Sequence, residues 1–130
     1  MKAMRRLLVV DDEPAIGRLV KRVAEGCGFA VTVTHHADEF LSDLESSQPD
    51  AIVLDLSLPE LDGVELLRFL SASGCRAEIL IISGFDPRVL ETSGRLGLAR
   101  GLNVVGTIMK PVRISELRAA IGGIGRASNG

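Results

Sequence analysis

Short apolar runs and longer amphipathic stretches alternate along this chain five times. The runs Leu7–Val10, Ala30–Val33, Ala51–Leu54, Ile79–Ile82 and Val104–Met109 are the strands that the pattern predicts. Four of them are nearly continuous in apolar residues, as in parallel strands covered on both faces. Val31 and Val33 instead alternate with threonine, as in a strand nearer a sheet edge.

Between the strands the apolar spacing becomes helical. Ile16, Leu19, Val20 and Val23 fall at i, i+3, i+4 and i+7, and Ala37, Phe40, Leu41 and Leu44 repeat the pattern. Val64, Leu67 and Leu70 follow at threes, Val89 and Leu96 more loosely, and Ile114, Leu117, Ile121 and Ile124 complete the series. Pro14 and Pro87 suit first helical positions, Asp86 suits the cap of the helix that Pro87 opens, and Gly26 and Gly28 suit the end of the first helix. Five strand–helix repeats predict an α/β fold of (βα)5 type, a doubly wound five-stranded parallel sheet. One domain over residues 5–125 is expected, with the small, polar residues 126–130 as a flexible tail or the start of a linker.

A length of 130 residues fits one domain and excludes a multidomain machine. With 46% hydrophobic residues and a mean hydropathy of +0.28, the chain can build a packed core, which argues against disorder. Fifteen Lys and Arg against seventeen Asp and Glu leave a net charge of −2, so no positive field draws in a phosphate backbone. The aromatic residues are Phe29, Phe40, Phe69 and Phe85, too few for a base-stacking platform. Direct nucleic-acid binding is therefore not expected. Cys27 and Cys75 form no CxxC and have no neighbouring His, and read as two buried, reduced thiols. The run Leu7–Val10 ends at once in Asp11-Asp12-Glu13, too short for a signal-peptide core or a membrane span. A soluble, cytoplasmic protein without membrane contact is expected.

Ligand chemistry in doubly wound sheets sits beyond the carboxyl ends of the strands. There the sequence places Asp11 and Asp12 after the first strand, Asp55 after the third, Ser83 after the fourth and Lys110-Pro111 after the fifth. Three carboxylates so close repel one another unless a divalent cation neutralises them, and hard oxygen ligands with room for water suit Mg2+, with Mn2+ as a substitute. Asp55 is then a candidate nucleophile toward phosphorus, forming an aspartyl-phosphate, with Lys110 supplying positive charge and Ser83 a hydrogen bond to a phosphoryl oxygen. Taken singly, an acidic pair ahead of a helix is ordinarily a cap, Asp55 a turn residue and Lys-Pro a solvated loop. Their coincidence at one sheet edge outweighs those readings.

From Leu7 to about Ile124 the chain resembles the receiver domains of two-component response regulators. The resemblance rests on Val-Val-Asp11-Asp12-Glu13-Pro14, on Asp50 to Asp55 followed by Leu-Ser-Leu-Pro59-Glu-Leu-Asp62-Gly63, on Ile-Ile-Ser83-Gly84 and on Lys110-Pro111. It implies that the domain over residues 5–125 is a receiver domain with a flavodoxin-like sheet of strand order 2-1-3-4-5. By the same resemblance Asp55 is the phosphoacceptor, Asp12 a direct metal ligand and Asp11 a ligand mainly through water. The backbone carbonyl of Ser57 completes the protein's share of Mg2+ coordination, and a cis Lys110-Pro111 bond aims the ammonium inward. Pro59 and Gly63 look like the family's loop-forming positions, where Gly adds backbone freedom. The donor implied is a histidine kinase or phosphotransfer protein, and the signal passes to an output domain or partner protein. The family also allows a homodimer through the face of the fourth helix, fifth strand and fifth helix. Such a domain is a signalling switch rather than an enzyme, assisting only its own phosphorylation and dephosphorylation.

The chain departs from the family pattern in several places. Thr107 stands where an aromatic switch residue is common, which predicts a weaker or different coupling to the surface made by the fourth helix, fifth strand and fifth helix. Val112 stands where Phe is frequent. The span from Ser83 to Lys110 is longer than in compact chemotaxis-type receivers and carries Gly94, Gly97 and Gly101, which predicts a short, broken or mobile fourth helix. Its wording is similar to receivers ahead of EAL-type cyclic-di-GMP phosphodiesterase domains. His35-His36 reads as a solvated loop, and Arg88, Arg95 and Arg100 as solvated charge. Two rival functions are a receiver-like interaction module independent of phosphorylation, and an aspartyl-phosphate phosphohydrolase. The second commonly needs an Asp two residues after the nucleophile, where this chain has Ser57.

Overall fold

The structure is a computed structural model that describes residues 4–59, 63–84 and 87–124. Within them β1 (Arg5–Val10), β2 (Phe29–Thr34), β3 (Ala51–Asp55), β4 (Glu78–Ser83) and β5 (Asn103–Met109) alternate with α1 (Pro14–Gly26), α2 (Ala37–Ser47), α3 (Gly63–Ala72), α4 (Pro87–Ala99) and α5 (Ile114–Gly122). The strands form one parallel sheet in the order β2-β1-β3-β4-β5. Asp62, Asp86 and residues 126–130 lie outside the described residues, and with them the expected cap and tail.

The pleat sorts the apolar side chains into two cores. Leu8, Val10, Ile52, Leu54, Ile79 and Ile81 pack with α2, α3 and α4 on one face, while Leu7, Val9, Ala51, Val53, Leu80 and Ile82 pack with α1 and α5 on the other. This double burial explains the continuous apolar runs of the three central strands. β5 departs from the expected pattern because it is an edge strand, and Val105 and Met109 are exposed. Val89 and Ile114, placed on apolar stripes by their spacing, are exposed as well. Both cysteines are free and half-buried rather than buried.

A bulge in β5 decides which way the C-terminal half of that strand faces. Ile79 pairs with Val104, but Leu80 pairs with Gly106, so Val105 is the extra residue. The insertion reverses the two-residue alternation. Val104 packs on the α2–α3–α4 side, whereas Ile108, four residues on, packs on the α1–α5 side. Thr107 is thereby turned toward α4 and Lys110, one alternation after Ile108, toward the side of α1 and α5.

α4 is continuous over 13 residues, as long as α1, and not the short or broken helix expected. Its glycines serve close packing. A Cβ on Gly97 would lie 2.7 Å from Val104 Cγ2, and one on Gly94 would lie 3.3 Å from Thr107 Cγ2. The absent side chains let the helix settle on β5, and contact with the strand offsets the low helix propensity of glycine. The helix ends at Ala99, and two residues on Gly101, with a φ of +84°, supplies the left-handed turn that closes it.

Gly97→Ala is therefore expected to lower stability by about 1–2 kcal/mol, because overpacking against a stiff β-branched neighbour exceeds the gain in helix propensity. Gly26→Ala, with nothing within 4 Å of the new Cβ, should raise stability by up to about 1 kcal/mol. Urea unfolding of both variants measures the contrast.

Candidate functional site

Sheet register explains why residues far apart in sequence meet. Val10 pairs with Leu54, so one further step along β1 and β3 brings Asp11 level with Asp55. Asp55 pairs with Ile82, and Ser83 with Met109, which sets Ser83 and Lys110 just beyond the same edge. The Lys110 backbone N–H donates to the Ser83 carbonyl at 2.8 Å. The Lys110-Pro111 bond is cis, as expected.

Asp11 and Asp55 are each 1% exposed, and Ser83 is fully buried. Asp55 Oδ1 accepts from the Ser57 backbone N–H at 2.8 Å, and Asp11 Oδ1 accepts from the Glu13 backbone N–H at 2.8 Å. The acidic pair thus does not cap α1: its N-cap is Glu13, whose side chain makes no capping bond. Lys110 Nζ lies 2.6 Å from Glu13 Oε1, 3.3 Å from Asp55 Oδ2 and 3.4 Å from Asp11 Oδ2. The Gly84 N–H reaches Ser57 Oγ at 3.5 Å, linking the loops after β3 and β4.

Gly63 does not supply left-handed backbone, as its φ is not in the positive range; positive φ among the described glycines falls at Gly28, Gly74 and Gly101. Its role is steric. A Cβ there would sit 2.6 Å from Leu56 Cδ2 and 3.1 Å from the Leu56 carbonyl oxygen, so only glycine lets α3 begin against the residue following Asp55.

Burial shifts the charges here. Asp11 has its pKa raised to about 6, first by desolvation and then by the like charge of Asp55, against the opposing Glu13 N–H bond and Lys110. Desolvation alone would lower the pKa of Lys110. Its hydrogen bond to Glu13 and the charges of Asp55, Asp11 and Glu13 together outweigh that effect and hold it well above its ordinary value.

One cation does not balance this cluster. Ligand oxygens of Asp11, Asp12 and Asp55 lie within 4.8 Å of one another, and Asp11 Oδ2 is buried with no hydrogen-bond partner. A buried carboxylate oxygen left unsatisfied is costly, and hard oxygen donors of this charge fit a divalent ion. The residues present therefore suit a metal such as Mg2+.

The structure brings together Asp11, Asp12, Asp55, Ser57, Ser83 and Lys110. Thr107 is exposed, with its methyl facing Gly94 of α4, and Val112 is half-buried against the α1–α5 core. Two contributors were not expected from the sequence. Glu13, adjacent to the acidic pair, makes the shortest contact to Lys110. His35 is half-buried rather than solvated, its Nδ1 3.0 Å from the Asp11 carbonyl oxygen, and only the fold brings it there. Arg95 remains at the surface, paired with Glu91 at 2.6 Å.

Parallel strands in this order, with carboxylates, a hydroxyl and an ammonium gathered at one edge, define a phosphoryl-accepting switch domain of doubly wound type. Residues 7–122 match the response regulator receiver domain family, and the chain belongs to it. It is 35% identical over 124 residues to the transcriptional regulatory protein TrcR of Mycobacterium tuberculosis, covering 95% of this chain and 46% of that protein. It is 36% identical over 115 residues to the response regulator MprA of Mycobacterium avium, covering 88% and 48%. A solved response regulator from Colwellia psychrerythraea superposes with a TM-score of 0.79 at 34% identity, over 92% of this chain and 94% of that one. The chain spans about half the length of the curated relatives it matches. Among the described residues no helix is long and apolar enough to cross a membrane.

Between its unfolded value of 3.8 and its native value of about 6, Asp11 keeps in the folded protein a proton that the unfolded chain has released. The metal-free protein therefore loses stability as pH rises through that interval. Metal binding needs the deprotonated carboxylate, so added Mg2+ should raise the melting temperature more at about pH 8 than at about pH 5. An equal rise at both would contradict this assignment of Asp11.

Proposed function

We propose that this domain accepts a phosphoryl group on Asp55 from a phosphohistidine of a histidine kinase or phosphotransfer protein. What carries the reading is the pairing of buried Asp55 with Lys110 at 3.3 Å, beside a second buried carboxylate, that of Asp11, one oxygen of which accepts no hydrogen bond. A carboxylate oxygen of Asp55 forms the bond to phosphorus as the bond from phosphorus to the donor's ring nitrogen breaks. The electron pair leaves on that nitrogen.

Lys110 meets the negative charge of the incoming phosphoryl oxygens, and Ser83, buried at the end of β4, donates a hydrogen bond to one of them. The Ser57 N–H bond to Asp55 Oδ1 fixes the orientation of the nucleophile. Asp11, Asp12, Asp55 and the Ser57 carbonyl would hold Mg2+. When bound, that ion neutralises part of the carboxylate charge and that of the phosphoryl oxygens. Two features weigh against the rivals: the site residues are all present, which a phosphorylation-independent module does not require, and Ser57 has no carboxylate to serve a phosphohydrolase as acid or base.

Ser83 and Thr107 form the switch in this reading. Without an aromatic ring at position 107, the change at Ser83 is transmitted through Thr107 to α4, whose Gly94 and Gly97 leave the helix in direct contact with β5. The domain works in the cytoplasm, and the exposed Val89, Val105, Met109 and Ile114 lie on the α4–β5–α5 face available to an output domain, a partner or a second copy. The transcriptional role in the name of the M. tuberculosis relative and the EAL-type output that the Ser83–Val112 wording resembles are alternative readings of that output.

Incubation with labelled acetyl phosphate and Mg2+ should incorporate acid-labile phosphate, and Asp55→Asn should abolish it. Undiminished labelling of that variant would refute the assignment.

A further inference from the structure

Glu13 is the nearest partner of Lys110, yet nothing in phosphoryl transfer requires it. Its Oε1 stands 2.6 Å from Nζ, against 3.3 Å for Asp55 and 3.4 Å for Asp11. Those two are buried, whereas the Glu13 side chain is 56% exposed, so water can take over its hydration when the ammonium leaves. Glu13 also occupies the N-cap of α1, a position where Asp, Asn, Ser or Thr would bond a free helix N–H. Its side chain makes no such bond and reaches across to Lys110, while its backbone N–H holds Asp11 Oδ1.

We propose that Glu13 is a positioning residue that holds the Lys110 ammonium at the mouth of the site in the resting domain and yields it when a phosphoryl group arrives on Asp55. The inference rests on the reading of Asp55 as acceptor. Phosphoryl oxygens on Asp55 compete with the Glu13 carboxylate for the same ammonium protons. The resting pair therefore opposes the phosphorylated state, and the exposure of Glu13 keeps that opposition small enough to reverse. An ion pair this exposed corresponds to no more than about a fivefold change in an equilibrium.

Binding of beryllofluoride, a phosphoryl mimic, to the whole domain with Mg2+ tests the proposal, followed by 19F NMR in wild type, Glu13→Gln and Glu13→Asp. Glutamine removes the charge and aspartate keeps it but shortens the reach. If Glu13 grips Lys110 directly, both variants bind the mimic about two- to fivefold more tightly than wild type. Tighter binding by Glu13→Gln alone would mean that only the negative field of residue 13 matters, and would overturn the proposal, as would unchanged or weaker binding in both. Failure of the wild-type protein to bind the mimic would instead overturn the reading of Asp55 itself. Circular dichroism should show the fold intact in both variants, since the substituted side chain is exposed.

Discussion

The ammonium of Lys110 lies within 3.5 Å of carboxylates from Asp11, Glu13 and Asp55, two of which are removed from water. Most of what distinguishes this sheet edge from an ordinary set of turns depends on that one cation. Without it two buried carboxylates would face each other uncompensated, a cost of several kcal/mol. With it the balance is still negative, because one positive charge serves three carboxylates and Asp12 stands beside them. Burial, and after it the like charge of Asp55, raises the Asp11 pKa, and Oδ2 of that carboxylate accepts no hydrogen bond although Lys110 Nζ lies 3.4 Å away. The same excess of carboxylate charge is what suits the edge to a divalent ion.

The rest of the fold can be read as the means of placing that ammonium. Parallel register sets Asp11 beside Asp55. The β5 bulge at Val105 changes which face each later residue meets, so that Lys110 follows Ile108 to the side of α1 while Thr107 meets α4. The hydrogen bond from the Lys110 N–H to the Ser83 carbonyl ties the residue after β5 to the end of β4. Gly94 and Gly97 bring α4 against β5 by removing the side chains that would otherwise separate the helix from that strand.

Much of this was legible in the sequence. Apolar runs at five positions yielded the parallel sheet, and the polar residues ending four of them yielded Asp11, Asp55, Ser83 and Lys110, because strand ends in such sheets share one edge. What stayed hidden depended on contacts between elements. Glycine in α4 reads as helix breaking on local propensity alone, and only the distance to Val104 reveals that it permits packing. Gly63 reads as a flexible loop position for the same reason, although Leu56 is what excludes a side chain there. A bulge leaves no mark in a run such as Val-Val-Gly-Thr-Ile-Met. His35 gave no signal because its partner is a backbone carbonyl 24 positions earlier. Glu13 was visible beside the acidic pair, but its role needed the distance to Lys110.

Charge compensation also explains how a small acidic domain with few aromatic residues can act as a switch. In the proposed reading its working parts are carboxylates, one ammonium and one hydroxyl, and a methyl group facing a glycine stands where the family commonly places a ring. The central claim is that Asp55 forms an acyl phosphate. Borohydride reduction of the protein after treatment with acetyl phosphate and Mg2+ converts such an acyl phosphate to an alcohol, so peptide mapping by mass spectrometry should find homoserine at position 55. Homoserine at another aspartate, or none in protein shown to carry acid-labile phosphate, would contradict the account.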